Sequence, residues 1–267
     1  MRSHRRGNHG ARRLRQDRAP LRSPIRAARV PRYSGDSPQV RRVDTTCVLE
    51  LGCGTGEWLV ELASAACEMS GLDPAEEMLR IARTKVCADL HQGFAETVPW
   101  PDASFDVVIC LNSLHHFSGP AAALREAFRV LRPGGRFLSV GLDPHETGGR
   151  WYVYEFFPRT LAIDRERFAS KSQRVAWLQM AGFQNIHVSI ADRLELSASF
   201  EEASHDGVLE RTFTSQLTAL TAAEYAAGLK RIRHCAQRPG FRLYTDLALY
   251  ATSGERPAIR TSRSERA

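Results

Sequence analysis

The sequence lacks the features that mark several specialised classes of protein. Its apolar runs are too short for a membrane-spanning helix. With 43% hydrophobic and 25% charged residues, it has the composition of an ordinary globular protein rather than a collagen-like, disulfide-scaffold or largely disordered chain. A length of 267 residues accommodates one α/β domain with an insertion, or two small domains.

Paired cysteines are also missing. The six cysteines show no CxxC pair and no repeated spacing, so the sequence predicts neither a disulfide framework nor a metal site. Several of them lie in apolar runs, where a free cysteine behaves as a small hydrophobe. We therefore expect a reducing, cytoplasmic environment.

Lysine is scarce, and the excess of basic charge is confined to one end of the chain. Only three lysines accompany 34 arginines. Residues 1–42 hold 13 arginines and two acids, whereas the other 225 residues hold 24 basic and 28 acidic side chains. The net charge of +7 therefore comes from the first segment. The rest of the chain offers no basic stripe, which disfavours a nucleic acid partner.

Residues 1–42 are rich in Arg, Pro, Ser and Gly without apolar periodicity, which predicts a disordered tail. No apolar stretch follows the arginines, so a secretory signal is disfavoured. An organellar transit peptide, an RNA-binding arm and an upstream stretch translated from GC-rich DNA all fit this composition. The last is the leading interpretation.

From Val43 onward, apolar runs alternate with segments of helical spacing. This alternation predicts a doubly wound, mostly parallel α/β sheet. The expected parallel strands are Cys47–Leu51, Cys67–Leu72, Ala88–Gln92, Phe105–Leu111 and Arg136–Gly141.

The second half of the predicted domain has a different pattern. Gln184–Ile190 and Phe241–Ala251 alternate as strands and are expected to form an antiparallel edge hairpin, which makes seven strands in all. Between them, a helical insertion at about residues 192–240 is placed to act as a lid or as a homo-oligomer surface. The domain is expected to span 43–254, followed by a polar C-terminal tail at 255–267.

The first chemical signal is a glycine loop. Gly52, Gly54 and Gly56 follow the first predicted strand and precede a helix. Glycines at such a place allow a sharp turn and leave free N–H groups facing a ligand. Their spacing lacks the longer gap of the dinucleotide fingerprint, and no Lys-Ser/Thr pair follows. A nicotinamide-dependent oxidoreductase is therefore disfavoured, and a phosphate-binding P-loop is excluded.

Two carboxylates near the ends of strands form the second signal. Asp73 ends the second predicted strand and should face the glycine loop, where a carboxylate accepts both hydroxyls of a ribose. The alternative is a capping role for Asp73 before Pro74. Glu50 lies near the end of a buried strand, where a carboxylate is costly without a partner. A cationic group of a ligand would be a natural partner.

An ordered set of motifs resembles those of the class I S-adenosylmethionine-dependent methyltransferases. Val48–Gly56 looks like their first motif, and Gly71–Pro74 is similar to the second. Further similar segments are Val98–Asp106, Leu114–Phe117, Leu124–Gly135 and Ala181–Phe183. The resemblance is to small-molecule enzymes related to quinone-biosynthesis methyltransferases. It implies a Rossmann-like methyltransferase fold and S-adenosyl-L-methionine as cofactor.

The resemblance also implies how the cofactor is bound. The backbone at Gly52 and Gly54 would hold its methionine part, and Glu50 would face its ammonium group. Asp73 would bind the ribose hydroxyls. The implied cofactor-binding residues are Glu50, Gly52, Gly54, Gly56, Asp73, Ala95, Glu96 and Asn112.

The last three of these residues have implied positions of their own. Ala95 and Glu96 match the segment that lies against the adenine, and Asn112 would line the floor beside the reacting methyl. Phe94 stands where the family often has an acid, so adenine recognition would rest on the backbone and on stacking.

His115 and His116 are the nearest candidates for a general base, because a hydroxyl or amine nucleophile has to lose a proton. The alternative is that both histidines cap the following helix or pack beneath the site.

Five aromatics occur within Trp151–Phe157. Trp151, Tyr152 and Tyr154 are candidates for the wall of an apolar acceptor pocket. The cluster could equally be a hydrophobic seam that joins the insertion to the sheet.

These observations predict an S-adenosylmethionine-dependent methyltransferase that acts on oxygen, nitrogen or carbon of a small organic acceptor. Two other functions stay open: an RNA or protein methyltransferase anchored by the basic tail, and a non-catalytic protein that binds the cofactor.

Overall fold

A computed structural model describes residues 46–63, 67–146 and 149–258 of the chain. The predicted disordered tail at 1–42 and most of the predicted C-terminal tail lie outside these ranges. Within them, none of the helices is both long enough and apolar enough to cross a membrane.

The described strands form one mixed sheet in the order β3-β2-β1-β4-β5-β8-β6, with β7 also paired to β8. Their bounds are β1 Thr46–Leu51, β2 Cys67–Asp73, β3 Asp89–Gln92, β4 Phe105–Leu111, β5 Leu131–Gly141, β6 Arg150–Trp151, β7 Gln184–Ala198 and β8 Leu243–Glu255. Strands β1 to β5 pair in parallel, whereas β8 is antiparallel to β5, β6 and β7. The predicted doubly wound sheet with an antiparallel edge is confirmed, and the two-residue β6 is an eighth strand that the sequence did not indicate.

Helices connect the strands. Their bounds are α1 Glu57–Leu62, α2 Glu76–Ala82, α3 Pro120–Val130, α4 Tyr152–Phe156, α5 Arg159–Arg167, α6 Lys171–Ala181, α7 Phe200–His205, α8 Ser215–Thr218 and α9 Ala222–Ala236. A 3₁₀ turn, Leu114–His116, lies between β4 and α3.

Apolar clusters cover both faces of the sheet because successive side chains of a strand point to opposite faces. Leu49 of β1 packs into the cluster formed with α3 and α6. Val48 packs into the cluster on the other face, with Leu59 of α1 and Leu79 of α2. A third cluster joins the helical insertion to β6, α4 and β8. Strands buried on both faces are typical of parallel sheets.

The helical insertion begins later than the predicted boundary near residue 192. Strand β7 continues to Ala198 because Glu195–Ala198 remain paired with Leu243–Asp246 of β8. The insertion therefore starts at Ser199, which caps α7.

The predicted polar tail also begins too early. Glu255 is still in β8, paired with Arg136. The Arg256 guanidinium donates to the backbone oxygens of Phe128, Arg129 and Leu131 at 2.9, 2.8 and 2.6 Å. These hydrogen bonds attach residues 255 and 256 to the end of α3, so both belong to the folded domain.

Candidate functional site

A crevice lies where the strand order reverses, between β1 and β4. In open α/β sheets, ligands bind at the carboxyl ends of the strands at such a switch point. The segments that follow the two strands touch here. A Cβ atom placed on Gly52 would lie 2.5 Å from the Cβ of Ser113, and the Ser113 hydroxyl donates to the Leu51 carbonyl at 2.8 Å. The sequence analysis missed Ser113, and only its position after β4 could have indicated it.

The glycine loop forms one wall of the crevice. Gly52, Gly54 and Gly56 all have left-handed backbone, with φ of 72°, 52° and 76°, which favours glycine. A Cβ on Gly56 would meet the Cβ of Ala82 at 3.0 Å, so Gly56 is a packing position. A Cβ on Gly54 would meet no atom within 4 Å. The loop therefore presents open space at Gly54, as contact with a ligand requires.

Asp73 lies across from the glycine loop and is buried. Its Oδ2 accepts the Gly54 N–H at 2.8 Å, and its Oδ1 accepts the Ala75 N–H at 2.9 Å. Asp73 thus fixes both the loop and the turn before α2. Each carboxylate oxygen can accept more than one hydrogen bond, so the residue retains capacity for ribose hydroxyls.

Glu50 is the electrostatically unusual residue of the crevice. Its side chain is 0% exposed, and neither carboxylate oxygen has a hydrogen-bond partner among the described residues. Burial, and secondarily the charge of Asp73, raise the pKa of Glu50 well above its ordinary value. An unpaired buried carboxylate is expensive, so Glu50 fits a ligand that carries a positive charge. The ammonium group of S-adenosylmethionine is such a charge.

The segment after β3 lies beside Asp73, because the Gly93 N–H donates to the Asp73 carbonyl at 3.1 Å. Phe94 is 61% exposed and Ala95 is buried. The Glu96 Oε1 accepts the N–H of Gly119 at 2.7 Å, which ties this segment to the start of α3. The exposed ring of Phe94 is free to stack on a flat ligand group.

Asn112 follows β4 and is exposed at the crevice. Its φ of 51° is left-handed, a conformation that asparagine tolerates better than most residues. Its N–H donates to the Val140 carbonyl at 2.9 Å, which links the end of β4 to the end of β5.

The two histidines have different surroundings. The His115 ring stacks on Phe168 at 3.9 Å; burial, and then the charges of His116 and Arg167, lower its pKa to about 3. His116 is exposed. Partial burial of its ring and the charge of Arg167 lower the pKa of His116, and the charge of Asp73 opposes this shift.

The aromatic segment lies in the seam with the insertion. Trp151 and Tyr152 are buried there, and Tyr154 packs against the same cluster. The Tyr152 hydroxyl donates to the Val208 carbonyl, and the Tyr154 hydroxyl donates to Asp164 at 2.8 Å. These contacts support the seam interpretation. The acceptor role of the three residues stays a prediction.

A cavity opens at the carboxyl ends of β4 and β5, next to Asn112. Residues from the 3₁₀ turn, β5, the end of α5, α6 and the α5–α6 connection line it, among them His115, Gly141, Arg167, Phe168, Arg174 and Trp177. Trp151, Tyr152 and Tyr154 are not among its lining residues. The sequence analysis missed Arg174. Its spacing of four residues from Leu178, with both side chains buried on α6, is the signal that could have indicated it.

Comparisons with known proteins agree with this geometry. The family described as a methyltransferase domain matches residues 49–139. A demethylmenaquinone methyltransferase of Lactiplantibacillus plantarum is 33% identical over 177 residues, which cover 56% of this chain and 75% of the relative. A demethylmenaquinone methyltransferase of Staphylococcus aureus is 30% identical over 183 residues, which cover 66% of this chain and 74% of the relative.

Two solved structures share the fold. A protein from Anabaena variabilis, described as a methyltransferase from an antibiotic biosynthesis pathway, has a TM-score of 0.62 at 20% identity and covers 79% of this chain and 91% of its own. The YcgJ protein of Bacillus subtilis has a TM-score of 0.56 at 22% identity and covers 80% of this chain and 93% of its own.

The sheet and its crevice are thus those of a methyl-transferring enzyme. By sequence identity and coverage, the chain belongs to the class I S-adenosylmethionine-dependent methyltransferases. Its cofactor is S-adenosylmethionine.

Proposed function

We propose that this enzyme methylates an oxygen, nitrogen or carbon atom of a small organic acceptor, bound beside Asn112 in the cavity at the ends of β4 and β5. The observation that carries the proposal is the buried, unpaired carboxylate of Glu50 beside Asp73. Two neighbouring carboxylates, one of which has no hydrogen-bond partner, favour a cationic cofactor in the crevice. We place one end of the acceptor in the cavity next to that crevice, whose enclosed space is about that of one water molecule.

The proposed cofactor contacts are those that the resemblance to class I methyltransferases implies. Glu50 faces the ammonium group, the backbone at Gly52 and Gly54 holds the methionine part, and Asp73 accepts the ribose hydroxyls. The other proposed contacts are Ala95, Glu96, Asn112 and Gly56, the last through its backbone because Ala82 fills the space at its Cβ position. Phe94 is added here because its ring is exposed beside Ala95.

When bound, S-adenosylmethionine supplies an electrophilic methyl group on a positively charged sulfur. The protein then has to align the acceptor with that group and to exclude water. We propose that Asn112 and the residues that line the cavity align the acceptor with the methyl group.

For an acceptor that must lose a proton, we propose His116 as the general base, acting from outside the cavity because His115 is the one of the two histidines that lines it. A base is most effective when its pKa is near the working pH, and a pKa of about 3 makes His115 a poor proton acceptor. His115 instead supports the site through its stacking on Phe168.

The relatives narrow the acceptors with which an assay should begin. The curated relatives are named demethylmenaquinone methyltransferases, so demethylmenaquinone, a neutral compound, is assayed beside the cell extract as a comparison. Five described cysteines are free, which supports the proposed cytoplasmic location. A homo-oligomer through α7–α9 is a further proposal, checked by sedimentation.

The test is transfer of a labelled methyl group from S-adenosylmethionine into a fractionated cell extract, with the full chain as catalyst. We expect the label in the low-molecular-weight fraction. Glu50→Gln should bind S-adenosylhomocysteine about 10- to 100-fold more weakly in calorimetry, because it loses a charge-assisted contact. Glu77→Gln is the matched control, since Glu77 is exposed on α2.

Three outcomes would contradict the proposal. Label in precipitated RNA or protein would indicate a macromolecular acceptor. Tight binding of S-adenosylhomocysteine without transfer to any fraction would indicate a non-catalytic binding protein. Equal affinity of Glu50→Gln and the wild type would remove Glu50 from the cofactor site.

A further inference from the structure

Arg174 of α6 is a buried cation without hydrogen-bond partners for two of its three nitrogens. The residue is 4% exposed. Its Nε and Nη2 atoms are buried, and no described residue accepts a hydrogen bond from either. A guanidinium stays protonated in proteins. Burying its donors without acceptors is costly, so the site is built for an acceptor that the chain itself does not provide.

The carboxylate whose charge acts on Arg174 is already engaged elsewhere. The charge of Asp143 opposes the fall in the pKa of Arg174 that burial causes. The carboxylate oxygens of Asp143, however, accept the main-chain N–H groups of His145 and Lys171 at 3.0 and 2.7 Å. Asp143 thus balances part of the charge of Arg174 but leaves its Nε and Nη2 donors free.

Two other groups act on Arg174, namely Cys110 of β4 and Tyr250 of β8. Burial raises the pKa of the Cys110 thiol to about 12, so it is uncharged at neutral pH. Neither side chain accepts a hydrogen bond from Nε or Nη2 of Arg174 within the described part of the chain.

The guanidinium lies at the wall of the cavity, at the carboxyl end of β5. A Cβ placed on Gly141 would lie 3.8 Å from Nη1 of Arg174, and both residues line the cavity. The Gly141 position follows Val140, to which Asn112 is hydrogen-bonded. The glycine loop follows β1, and Arg174 lies at the end of β5, which is the second strand along the sheet from β1. Arg174 is therefore on the side where the acceptor is proposed.

A second arginine, Arg167, also lines the cavity, and its hydrogen-bond partners differ from those of Arg174. The Nη2 of Arg167 donates to Asp164 at 3.0 Å and to Ser215 at 3.3 Å. Its charge is therefore paired with a carboxylate through a hydrogen bond. His115, with a pKa near 3, adds no positive charge at neutral pH. The Nε of Arg167 is also buried without an acceptor among the described residues, but Arg174 differs in having no hydrogen-bonded carboxylate and in lacking acceptors for both Nε and Nη2.

We propose that Arg174 binds a carboxylate, or another oxyanion group, of the methyl acceptor in this cavity. The inference rests on the proposed function, because it places the acceptor there. Nε and Nη2 form one edge of the guanidinium, and this edge makes two parallel hydrogen bonds to a carboxylate. The rings of Phe168, His115 and Trp177 form apolar walls beside it. The acceptor class is accordingly a small organic acid with an apolar or aromatic body.

The first test measures anion binding without catalysis. Benzoate and benzamide are titrated in calorimetry into the full chain loaded with S-adenosylhomocysteine. They have the same shape but differ in charge. We expect benzoate to bind at least about tenfold more tightly than benzamide, as a charge-assisted pair predicts. Arg174→Met should bind both probes equally.

The matched control is Arg125→Met. Arg125 is an exposed arginine of α3, so this change removes the same charge from the surface, and the preference for benzoate should persist. Arg174→Met also removes the charge that the buried Asp143 partly balances, so its melting temperature only checks that the variant is folded. If folded Arg174→Met still prefers benzoate to benzamide, the inference is overturned.

The second test uses the product of the labelled-methyl assay. Mass spectrometry of the methylated compound should identify a parent molecule with an acidic group ionised at pH 7.5. Arg174→Met should lower its formation about 10- to 100-fold, while the affinity for S-adenosylhomocysteine changes by less than about twofold. A neutral parent molecule overturns the inference, even if Arg174→Met fails to fold.

The two tests separate failure of this inference from failure of the proposed function. Methyl transfer by the wild type without any preference for benzoate overturns the anion site alone. A preference for benzoate that depends on Arg174, with no transfer to any fraction, overturns the proposed function and leaves the anion site standing.

Discussion

The main-chain N–H of Gly54 donates a 2.8 Å hydrogen bond to Oδ2 of Asp73, and this contact joins the loop after β1 to the end of β2. The other oxygen of Asp73 holds the N–H of Ala75. One carboxylate therefore shapes the glycine loop and is also the proposed acceptor for the ribose. Structural and binding roles coincide at this residue, and substitutions can separate them.

Asp73→Ala removes the hydrogen-bond acceptor of the Gly54 and Ala75 amides as well as the proposed ribose contact. We expect affinity for S-adenosylhomocysteine to fall about 10- to 100-fold, because hydrogen bonds to a charged group contribute about 1.5–3 kcal/mol. Asp73→Asn keeps one acceptor oxygen and should lose less. Calorimetry on both variants checks this expectation, and unchanged affinity would reduce Asp73 to a turn-forming residue.

Gly52→Ala and Gly54→Ala form a matched pair of substitutions, because the space for a new Cβ is filled at Gly52 and empty at Gly54. Both positions have positive φ, so each variant bears a left-handed strain of about 1–2 kcal/mol. Only the new Cβ at Gly52 would lie 2.5 Å from the Cβ of Ser113. Gly52→Ala should therefore lower the melting temperature more than Gly54→Ala does. Equal melting temperatures would show that Ser113 moves aside without cost.

The carboxyl group of Glu50 predicts a pH dependence with a definite sign. Its pKa in the folded protein is raised well above the ordinary 4.5, so the folded protein holds this proton more tightly than the unfolded chain. The resulting stability is fully present below the ordinary pKa and is lost as the pH rises through the folded-state value. Cofactor affinity should change in the opposite direction, because an ammonium group pairs with the ionised carboxylate.

Glu50→Gln should abolish both of these trends. At pH 8 the variant should melt about 2 °C or more above the wild type without cofactor, yet bind S-adenosylhomocysteine more weakly. Thermal melts and calorimetry between about pH 5 and 8 measure the two trends. Parallel pH profiles for the variant and the wild type would assign the trends to another group.

Substitutions in the aromatic segment Trp151–Phe157 test whether it is a hydrophobic seam with the insertion or the wall of an acceptor pocket. Trp151→Ala and Tyr152→Ala should each cost about 3–5 kcal/mol of unfolding free energy, because buried aromatics leave cavities. Methyl transfer per folded molecule and cofactor affinity should stay near the wild-type values. The control is Tyr244→Ala, an exposed aromatic of β8.

Tyr154→Ala is the most informative of the aromatic substitutions, because its hydroxyl contacts Asp164, the partner of Arg167 on the cavity wall. Loss of transfer at near-native melting temperature in any of these variants would support the acceptor-pocket prediction. Melting temperature, cofactor affinity and transfer measured on the same samples separate the two roles.

Local sequence patterns predicted the parallel part of the sheet closely. β4 has the predicted bounds, and β1 and β2 differ by one residue at one end. Apolar runs of this length, bounded by turn residues, carry their own structural signal. The predicted end of β7 lies too early in the chain, because apolar residues in the second half of this strand alternate with exposed polar residues. Pairing with β8, which is distant in the sequence, decides where that strand stops.

The sequence by itself determined the fold, and it placed Gly52, Gly54 and Asp73 at neighbouring strand ends, because these residues lie at fixed offsets from strands that are evident locally. It also singled out Glu50 as a costly carboxylate. Only the tertiary structure decided that Glu50 has no partner among the described residues, and that Arg174 reaches a cavity beside Gly141. Burial and the absence of a hydrogen-bond partner depend on side chains brought together from distant segments, and no periodicity along the chain encodes them.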